Sequence, residues 1–291
     1  MNNETLSENT PILVEKSGPL HGSVTVSGAK NSALKLMAAC LLAPGTFTLR
    51  NVPMIADVKW MSELLEHMGA SISFNENELT INVPETLTPE APYELVERMR
   101  ASIVVLGPLL ARFGTARVSV PGGDDFGHRP IDMHLRGLEE LGAEFTTSHG
   151  YIQATSTGLT GTRVLLEFPS VGATENLLMA AVLAEGTTII DNAAREPEIS
   201  DLADFLNRMG AQISGAGRSI ITIDGVNELH PVEHTVIPDR IEAATYLAAL
   251  GIAGGEIEIE QARADHMDMM IRKLGEMGMS VSPTVNGLKA T

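Results

Sequence analysis

The sequence predicts an α/β fold in which one structural unit occurs four times. A turn glycine that opens a short strand recurs about every 70 residues, at Gly45, Gly114, Gly186 and Gly255. A second marker, a helix end followed by a glycine and a strand, keeps the same spacing, at Gly69, Gly142, Gly210 and Gly278. Helix and strand signals alternate within each copy, which favours sheets packed on buried helices.

The first copy shows the order of elements most clearly. Residues Ala33 to Ala43 are apolar nearly all round, which predicts a buried helix. From Val58 to Met68, apolar and charged residues alternate near a helical period, which predicts a half-exposed helix. Gly69 stands where a helix end favours a left-handed residue. Each copy therefore contains one buried and one surface helix.

Two strands are expected to complete each copy as a hairpin. In copy one they are Ser71 to Phe74 and Leu79 to Val83, joined by a polar turn at residues 75–78. The helix, glycine and strand order returns from Phe205 to Gly225. The hairpin signal is weakest in copy four, where the sequence stops at Thr291.

Composition narrows the class of protein. A length of 291 residues favours two domains, and a net charge of −17 argues against a nucleic-acid partner. Small anionic ligands stay possible, because a few local cations suffice to bind them. The single cysteine, Cys40, lies in an apolar run and is expected in the core. No disulfide can form within one chain, which fits a reducing compartment.

Several classes of signal are missing from the sequence. The polar segment Met1 to Thr10 is unlike a signal peptide, and no apolar run is long enough for a membrane span. No His or Cys pair has convincing zinc spacing, and we find no P-loop or nucleophile motif. We therefore expect a cytoplasmic protein with neither a metal nor a membrane partner.

The second copy differs from the others between its strand and its second helix. The loop from Pro121 to Asp132 is several residues longer than its counterparts and carries three glycines. Asp124 and Asp125 supply acids, and His128 with Arg129 supplies cations. One interpretation is a tolerated surface insertion. The density of reactive side chains favours the other, a glycine-hinged lid that carries a proton donor.

The starts of the buried helices are the second informative place. Unpaired N–H groups and the helix dipole make such starts favourable for anions. The four starts are Lys30–Asn31, Arg100, Pro169–Thr174 and Pro238–Glu242. A cation there opposes the dipole unless an anion joins it, so Lys30 and Arg100 suggest phosphate or diphosphate ligands. The alternative is that each cation pairs with one of the abundant carboxylates.

Two further candidates stay open. The segment Arg195–Glu198, which matches the position of the lid in copy three, is either a helix start with favourable acids or part of a cleft. His128 and His134 either face a substrate or serve the structure.

From about Gly18 onward the sequence resembles the enolpyruvyl transferase family, in particular the members that act on UDP-N-acetylglucosamine. The motifs that carry this resemblance are Ser27–Leu34, Met99–Ile103, Pro121–Asp132, Pro169–Thr174, Asn192–Ile199 and Pro238–Glu242. It implies inside-out α/β barrel-type domains built from repeated βαβαββ units with pseudo-threefold symmetry. Residues 30–237 would form one complete three-repeat domain, and residues 1–29 with 238–291 an incomplete second one. The chain would thus lack the C-terminal third of the family's length.

The resemblance also implies an activity and its residues. The family transfers the enolpyruvyl group of phosphoenolpyruvate to the 3-hydroxyl of UDP-N-acetylglucosamine and releases phosphate, without a cofactor. The positions that match its phosphoenolpyruvate contacts are Lys30, Asn31 and Arg129. The positions that match its UDP-sugar contacts are Arg100, Arg129, Pro130, Ile131, Asp132, Met133, Phe168, Pro169, Ser170 and Val171.

Asp124 matches a lid position where many members carry the cysteine that fosfomycin alkylates. We expect Asp124 to donate a proton to the methylene carbon of phosphoenolpyruvate. Its ordinary pKa of about 3.9 means that lid closure must desolvate it, or bring it near phosphate, for it to hold that proton. Because a carboxylate is a poor trap for the epoxide, fosfomycin resistance follows.

The implied cellular role is the first committed step of peptidoglycan synthesis, and through it cell wall biogenesis, cell shape, cell division and the cell cycle. One alternative is a non-catalytic UDP-sugar-binding or regulatory module that keeps only the first domain. Another is the sister enzyme that acts on shikimate 3-phosphate. It is disfavoured because its first helix start resembles Gly-Ser-Lys-Ser, whereas this chain has Gly28-Ala-Lys-Asn31.

Overall fold

The computed structural model describes Pro11, Leu13, Glu15, Lys16, residues 18–120 and residues 131–291. The chain divides into two compact units. One is Ser27–Asp239, and the other combines the described residues up to Val26 with Arg240–Thr291. The predicted assignment of a complete and an incomplete domain remains a proposal.

The elements follow one another as the repeat predicts. After β1 (Leu20–Thr25), copy one comprises α1 (Lys30–Ala39), β2 (Gly45–Arg50), α2 (Ala56–Met68), β3 (Ser71–Asn75) and β4 (Glu78–Val83). Copy two comprises β5 (Glu90–Ala91), α3 (Tyr93–Val96), a 3-10 helix (Arg100–Val105), α4 (Leu106–Phe113), β6 (Thr115–Ser119), α5 (Asp132–Glu140), β7 (Glu144–Ser148) and β8 (Tyr151–Thr155). Copy three comprises β9 (Arg163–Leu165), α6 (Val171–Ala181), β10 (Thr187–Asp191), α7 (Pro197–Met209), β11 (Gln212–Ser214) and β12 (Ile220–Asp224). The chain continues with β13 (Glu233–Thr235), α8 (Arg240–Ala253), β14 (Gly255–Glu260), α9 (Asp268–Glu276), β15 (Val281–Pro283) and β16 (Gly287–Ala290).

Each of the four described sheets has the same four-stranded pattern. The orders are β13-β2-β4-β3, β5-β6-β8-β7, β9-β10-β12-β11 and β1-β14-β16-β15. In every sheet the opening strand is parallel to the next, and the hairpin strands pair antiparallel. This recurrence confirms the repeated βαβαββ unit.

In two of the sheets the opening strand comes from a distant part of the chain, which sequence periodicity did not predict. Strand β13 follows copy three but pairs with β2 of copy one, with Glu233 opposite Thr48. Strand β1 precedes α1 but pairs with β14, with Leu20 opposite Gly255. In copies two and three the opening strand precedes its own helix, whereas the sheets of copy one and copy four are completed by a strand that lies elsewhere in the sequence.

In the unit Ser27–Asp239 the helices form the core and the sheets cover them. Every residue from Ser32 to Ala39 of α1 is buried, as is every residue from Ala173 to Ala181 of α6. In α2 only one face is buried, and in β2 the side chains of Phe47 and Leu49 alternate with more exposed ones. The predicted distinction between buried and half-exposed helices is confirmed.

The eight marker glycines all have positive φ, between 65° and 121°. Gly69 ends α2 at φ 113°, and its N–H bonds to Glu66 O, which satisfies a carbonyl that the helix end would leave open. The periodic glycines thus mark backbone positions that other residues adopt only with strain.

The second copy departs from the expected continuous helix. Residues Arg100–Val105 form a 3-10 helix, and the α-helix begins only at Leu106. Pro108 explains the change, because in a continuous α-helix its ring would collide with the carbonyl of Val104. The hydroxyl of Ser102 also bonds back to Met99 O at 2.5 Å, which competes with helical hydrogen bonds.

The second unit has the same topology around a smaller core. Its helix α8 buries Ala243, Leu247 and Leu250, while Ile252 is 91% exposed. The weakly predicted hairpin of copy four is present, with Val281 opposite Ala290. Within the described residues, no helix is long and apolar enough to cross a membrane.

Candidate functional site

The buried helices α1, α4 and α6 run side by side in the same direction. Near their starts, Lys35 of α1 lies 3.3 Å from Glu175 of α6, and Asn176 of α6 donates to Ile103 O just before α4. At the opposite end, Arg112 of α4 donates to Leu41 O, directly after α1.

The ends of α4 and α6 also meet. Leu110 and Ala111 share one groove with Leu183 and Ala184, which directly follow α6. The three helix starts are therefore at one end of the unit, as the anion-site hypothesis requires.

The first turn of α1 carries Lys30 and Asn31, and here the structure shows the predicted alternative. The Lys30 Nζ atom is 3.4 Å from Asp57 Oδ2 at the start of α2, although the Lys30 side chain keeps 42% exposure. The Lys30 backbone N–H donates to Asp239 Oδ2 at 3.2 Å. The start of α1 thus holds carboxylates of its own, and an incoming anion would compete with them.

The start of α6 is formed by Phe168–Val171. Phe168 is 57% exposed and Pro169 is exposed, while Ser170 caps the helix by accepting from the N–H of Ala173 at 3.3 Å. Gly172 lies directly against the His134 ring, because a Cβ atom at this position would be 3.0 Å from His134 Cε1. The close approach brings the starts of α5 and α6 together.

The start of α5 contributes Ile131–Met133. Asp132 lies in the first turn and is 3.5 Å from Arg136, whose other guanidinium nitrogen is 2.7 Å from Glu167 Oε1. The Met133 side chain is buried, and Ile131 packs against the core. The side chains of Ile131 and Met133 therefore serve the core, and the Ile131 carbonyl accepts from the N–H groups of His134 and Leu135.

Arg100 is half-buried at the start of the 3-10 helix, and its charge acts on His134. The pKa of His134 is lowered from 6.5 to about 4, chiefly by burial and in part by the positive charges of Arg100 and Lys35, against the opposing effect of Asp132. His134 is therefore neutral at pH 7.

A hydrogen-bond network fixes the His134 ring. Asn176 accepts from Gly107 N at 2.7 Å, donates to Ile103 O at 3.0 Å, and lies 3.0 Å from His134 Nδ1. Because the amide nitrogen is the donor in this pair, His134 Nδ1 accepts and its proton is on Nε2. The same amide satisfies Gly107, whose N–H lies at the junction of the two helical geometries. His134 thus has a structural role, which resolves one open alternative.

Below the helix starts lies an ion pair that the periodicity did not reveal. Lys35 and Glu175 are 8% and 0% exposed, and Lys35 Nζ also donates to Asn31 O at 3.2 Å. The sequence did carry a signal, since each residue places a charge inside a mostly apolar helix. Buried charges of this kind are rare without a partner.

A second buried network joins Ser32, Asp201 and His234. Asp201 Oδ2 accepts from Ser32 Oγ, and Asp201 Oδ1 is 2.8 Å from His234 Nε2. The carboxylate sits between the hydroxyl and the imidazole, so His234 cannot take the proton of Ser32. This arrangement ties α1, α7 and β13 together and is not an activated nucleophile.

The predicted lid residues Asp124, Arg129 and Pro130 lie outside the described residues, as do His128 and the rest of residues 121–130. The segment Arg195–Glu198 proves to be a helix start, with Pro197 opening α7 and Glu198 in its first turn. No group of three or more His, Cys, Asp or Glu side chains in the described part of the chain is arranged to hold a metal ion.

These features define a repeat-built α/β protein with a cluster of buried helix starts at one end of the unit Ser27–Asp239. The sequence profile of EPSP synthase (3-phosphoshikimate 1-carboxyvinyltransferase) matches residues 14–289. The chain therefore belongs to the EPSP synthase family of enolpyruvyl transferases.

Among curated relatives, UDP-N-acetylglucosamine 1-carboxyvinyltransferase 1 of Caldanaerobacter subterraneus is 51% identical over 96% of this chain and 67% of its own length. UDP-N-acetylglucosamine 1-carboxyvinyltransferase 2 of Carboxydothermus hydrogenoformans is 54% identical over 92% of this chain and 64% of its own length. The chain thus spans about two thirds of these relatives.

Solved structures agree on the fold. The enolpyruvyl transferase NikO from Streptomyces tendae superposes with a TM-score of 0.83 at 25% identity, over 94% of this chain and 66% of that one. EPSP synthase from Acinetobacter baumannii gives a TM-score of 0.72 at 22% identity, over 94% and 64%. The predicted inside-out α/β fold is confirmed.

Proposed function

We propose that this protein transfers the enolpyruvyl group of phosphoenolpyruvate to the 3-hydroxyl of UDP-N-acetylglucosamine and releases phosphate. The observation that carries the proposal is the 51% identity, over 96% of the chain, to a UDP-N-acetylglucosamine 1-carboxyvinyltransferase. The arrangement of the helix starts supports it, because both substrates are anions and the starts of α1, α4 and α6 share one end of the unit.

The substrate contacts are assigned by this proposal. Lys30, Asn31 and Arg129 bind phosphoenolpyruvate, and Arg129 also abuts the sugar nucleotide. The UDP-sugar is bound by Arg100, the run Arg129–Met133 and the run Phe168–Val171. The exposed Phe168 and Pro169, next to the capped start of α6, support the placement of the nucleotide there.

The chemistry then proceeds by addition and elimination. A proton moves from Asp124 to the methylene carbon of phosphoenolpyruvate while the sugar oxygen bonds to the adjacent carbon and loses its own proton. Loss of a proton from the new methyl group and cleavage of the bond to phosphate regenerate the double bond. Lys30 and Arg129 offset the negative charge that collects on the departing phosphate.

Calorimetry with UDP-N-acetylglucosamine, together with a phosphate-release assay, tests the proposal. We expect Lys30→Met to lose most phosphate release, whereas Lys59→Met, an exposed lysine of α2, leaves it unchanged. Asp124→Asn should abolish release but keep UDP-sugar binding. Full activity in Asp124→Asn would remove the proposed proton donor.

The alternative is a non-catalytic UDP-sugar-binding or regulatory module. If the 291-residue chain binds the UDP-sugar but releases no phosphate under any condition, this alternative is preferred.

Fosfomycin resistance is the sharpest consequence of Asp124. The single cysteine, Cys40, is fully buried, and burial raises the pKa of its thiol well above 9, so it offers the drug no thiolate. Mass spectrometry should find no adduct on the native protein and one adduct on Asp124→Cys. An adduct on Asp124 itself would contradict this.

By the same proposal the protein works in the cytoplasm on small-molecule substrates, with no cofactor, metal, nucleic acid or membrane partner. Its product would enter peptidoglycan synthesis, which links it to cell wall biogenesis, cell shape, cell division and the cell cycle. Loss of peptidoglycan precursors on depletion of the protein is the expected phenotype.

A further inference from the structure

The Glu175 carboxyl group is one of the buried acids of the described structure. It lies in α6, one turn after Val171, and it is fully buried. Neither Oε1 nor Oε2 has a hydrogen-bond partner among the described residues. Lys35 Nζ, at 3.3 Å from Oε2, supplies an opposing charge. A carboxylate held in this way is costly to keep ionised.

One positive and two negative side chains act on the Glu175 carboxyl group. Lys35 faces it from α1, while Glu198 and Glu196 face it from the start of α7. Lys35 is also near His134 of α5 and Arg100 of the 3-10 helix, because both cations act on that imidazole. The pKa of Glu175 is raised from 4.5 to about 7, chiefly by burial and in part by the two other glutamates, against the lowering effect of Lys35. The carboxyl group therefore exchanges its proton near neutral pH.

The position of the pair links it to both proposed subsites. Lys35 donates to Asn31 O, in the first turn of α1, and Glu175 follows Val171 by one turn of α6. An anion bound at the N–H groups of α6 would lie on the order of 10 Å from the Glu175 carboxyl, since one helical turn adds 5.4 Å. A buried charge at that distance is weakly screened and disfavours a second negative charge.

We propose that Glu175 is a positioning residue that takes up a proton when the diphosphate of the UDP-sugar binds at the helix starts. In the empty protein near neutral pH, the ionised fraction of the Glu175 carboxyl group neutralises Lys35. On binding, a proton from solvent neutralises Glu175 instead, and the Lys35 charge is left to favour the bound anion. This inference rests on the proposed function, because it assumes that the nucleotide occupies the starts of α1 and α6.

The test is calorimetry of UDP-N-acetylglucosamine with the 291-residue chain at pH 7, in buffers of different ionisation enthalpy. We expect uptake of on the order of 0.4 proton per ligand, because a nearby anion raises the pKa of the Glu175 carboxyl group. We also expect several-fold weaker binding at pH 8 than at pH 6. Glu175→Gln should lose both effects, while Glu139→Gln, an exposed glutamate of α5, should keep them.

Two further variants separate proton uptake from a structural role. Glu175→Gln leaves Lys35 buried without its partner and can fail to fold. The double variant Lys35→Met with Glu175→Gln removes both charges, and it should bind without proton uptake. Glu175→Asp keeps a carboxyl group and should restore uptake.

The outcomes are distinguishable. Equal proton uptake by the native protein and by the folded double variant would overturn the role of Glu175 and leave the proposed function intact. Absence of UDP-sugar binding in the native protein would overturn the proposed function, and this inference with it.

Discussion

Helices α1 and α8 occupy the same place in the repeated unit but have opposite surroundings. Both follow the opening position of a βαβαββ copy, and both are rich in alanine and leucine. In α1 every residue from Ser32 to Ala39 is buried, whereas α8 buries only Ala243, Leu247 and Leu250. A similar sequence pattern therefore gives a fully buried helix in one unit and a largely exposed helix in the other.

The difference shows that burial in this fold comes from packing copies against one another. Helix α1 contacts the 3-10 helix of copy two and α7 of copy three, so its whole circumference is covered. The unit that contains α8 has one described copy and its own small core. In addition, every fully buried polar or charged side chain of the described residues lies within Ser27–Asp239. The interior with three copies is thus also the one that holds the buried charges.

The largest expected effect is on α1 itself. Leu36 is 0% exposed, and Leu36→Ala should lower the free energy of unfolding of its unit by about 2–5 kcal/mol. Urea denaturation followed by the fluorescence of Trp60, the single tryptophan, reports on this unit because Trp60 packs against its core, and circular dichroism follows the helices of both units. The matched change Ile252→Ala in α8, at 91% exposure, should stay within about 0.5 kcal/mol. Equal losses would refute the contrast.

The second prediction concerns the buried carboxyl of α6. The pKa of Glu175 in the folded protein is raised from 4.5 to about 7. The contribution of this group to the free energy of unfolding is therefore fully present below pH 4.5, and about 3 kcal/mol of it is lost as the pH rises through 7. The difference in free energy of unfolding between Glu175→Gln and the native protein should therefore shift in favour of the variant from pH 5 to pH 8, on top of a pH-independent loss because Lys35 has no partner. Urea denaturation across that range measures the shift, and a pH-independent difference would contradict the buried carboxyl.

The third prediction concerns His134, whose effect on stability should depend on pH in the opposite direction. Its pKa in the folded protein is lowered from 6.5 to about 4, so its contribution to the free energy of unfolding is present above pH 6.5 and falls by up to about 3 kcal/mol as the pH drops to 4. His134→Gln should lose stability at pH 7.5, because it disturbs the Asn176 network, and should lose relatively less at pH 4.5. The same urea series provides the measurement, and a penalty that grows toward acid would argue against a buried neutral imidazole.

The smallest effect sharpens the comparison without any substitution. Backbone amides of α8 should exchange with deuterium faster than those of α1, because fewer apolar contacts oppose local opening. Mass-spectrometric exchange on peptides from the two helices gives the ratio directly. Similar protection of both helices would show that α8 is covered in solution.

Much of this fold could be predicted from periodic signals. The marker glycines fixed the copy length because positive φ excludes most other residues at these positions. All-round apolar stretches identified α1 and α6 as core helices. The periodic signals did not predict that β1 pairs with β14 or that β13 pairs with β2, since strand pairing between distant segments leaves no local signal; only the family resemblance grouped residues 1–29 with residues 238–291. The 3-10 helix that begins at Arg100 was also not predicted. It depends on Pro108, whose ring would collide with the carbonyl of Val104 in a continuous α-helix.

The candidate site was predicted less completely. Motifs placed Lys30, Arg100 and Ser170 at helix starts, and the structure gathers those starts at one end. The partners of these residues were beyond reach of the sequence, because the Lys30–Asp57 and Lys35–Glu175 pairs join residues that are neighbours only after folding. Lys35 and Glu175 could have been noticed as charges within apolar helices.

The central claim is that a UDP-sugar binds where the buried helices begin. Backbone amide NMR shifts during titration of the chain with UDP-N-acetylglucosamine test it most directly. The account predicts that the largest shifts fall at Lys30–Asn31, Arg100 and Ser170–Val171, and that the opposite end of the unit, near Leu110 and Gly186, stays unchanged. Shifts confined to that opposite end, or to α8, would contradict it.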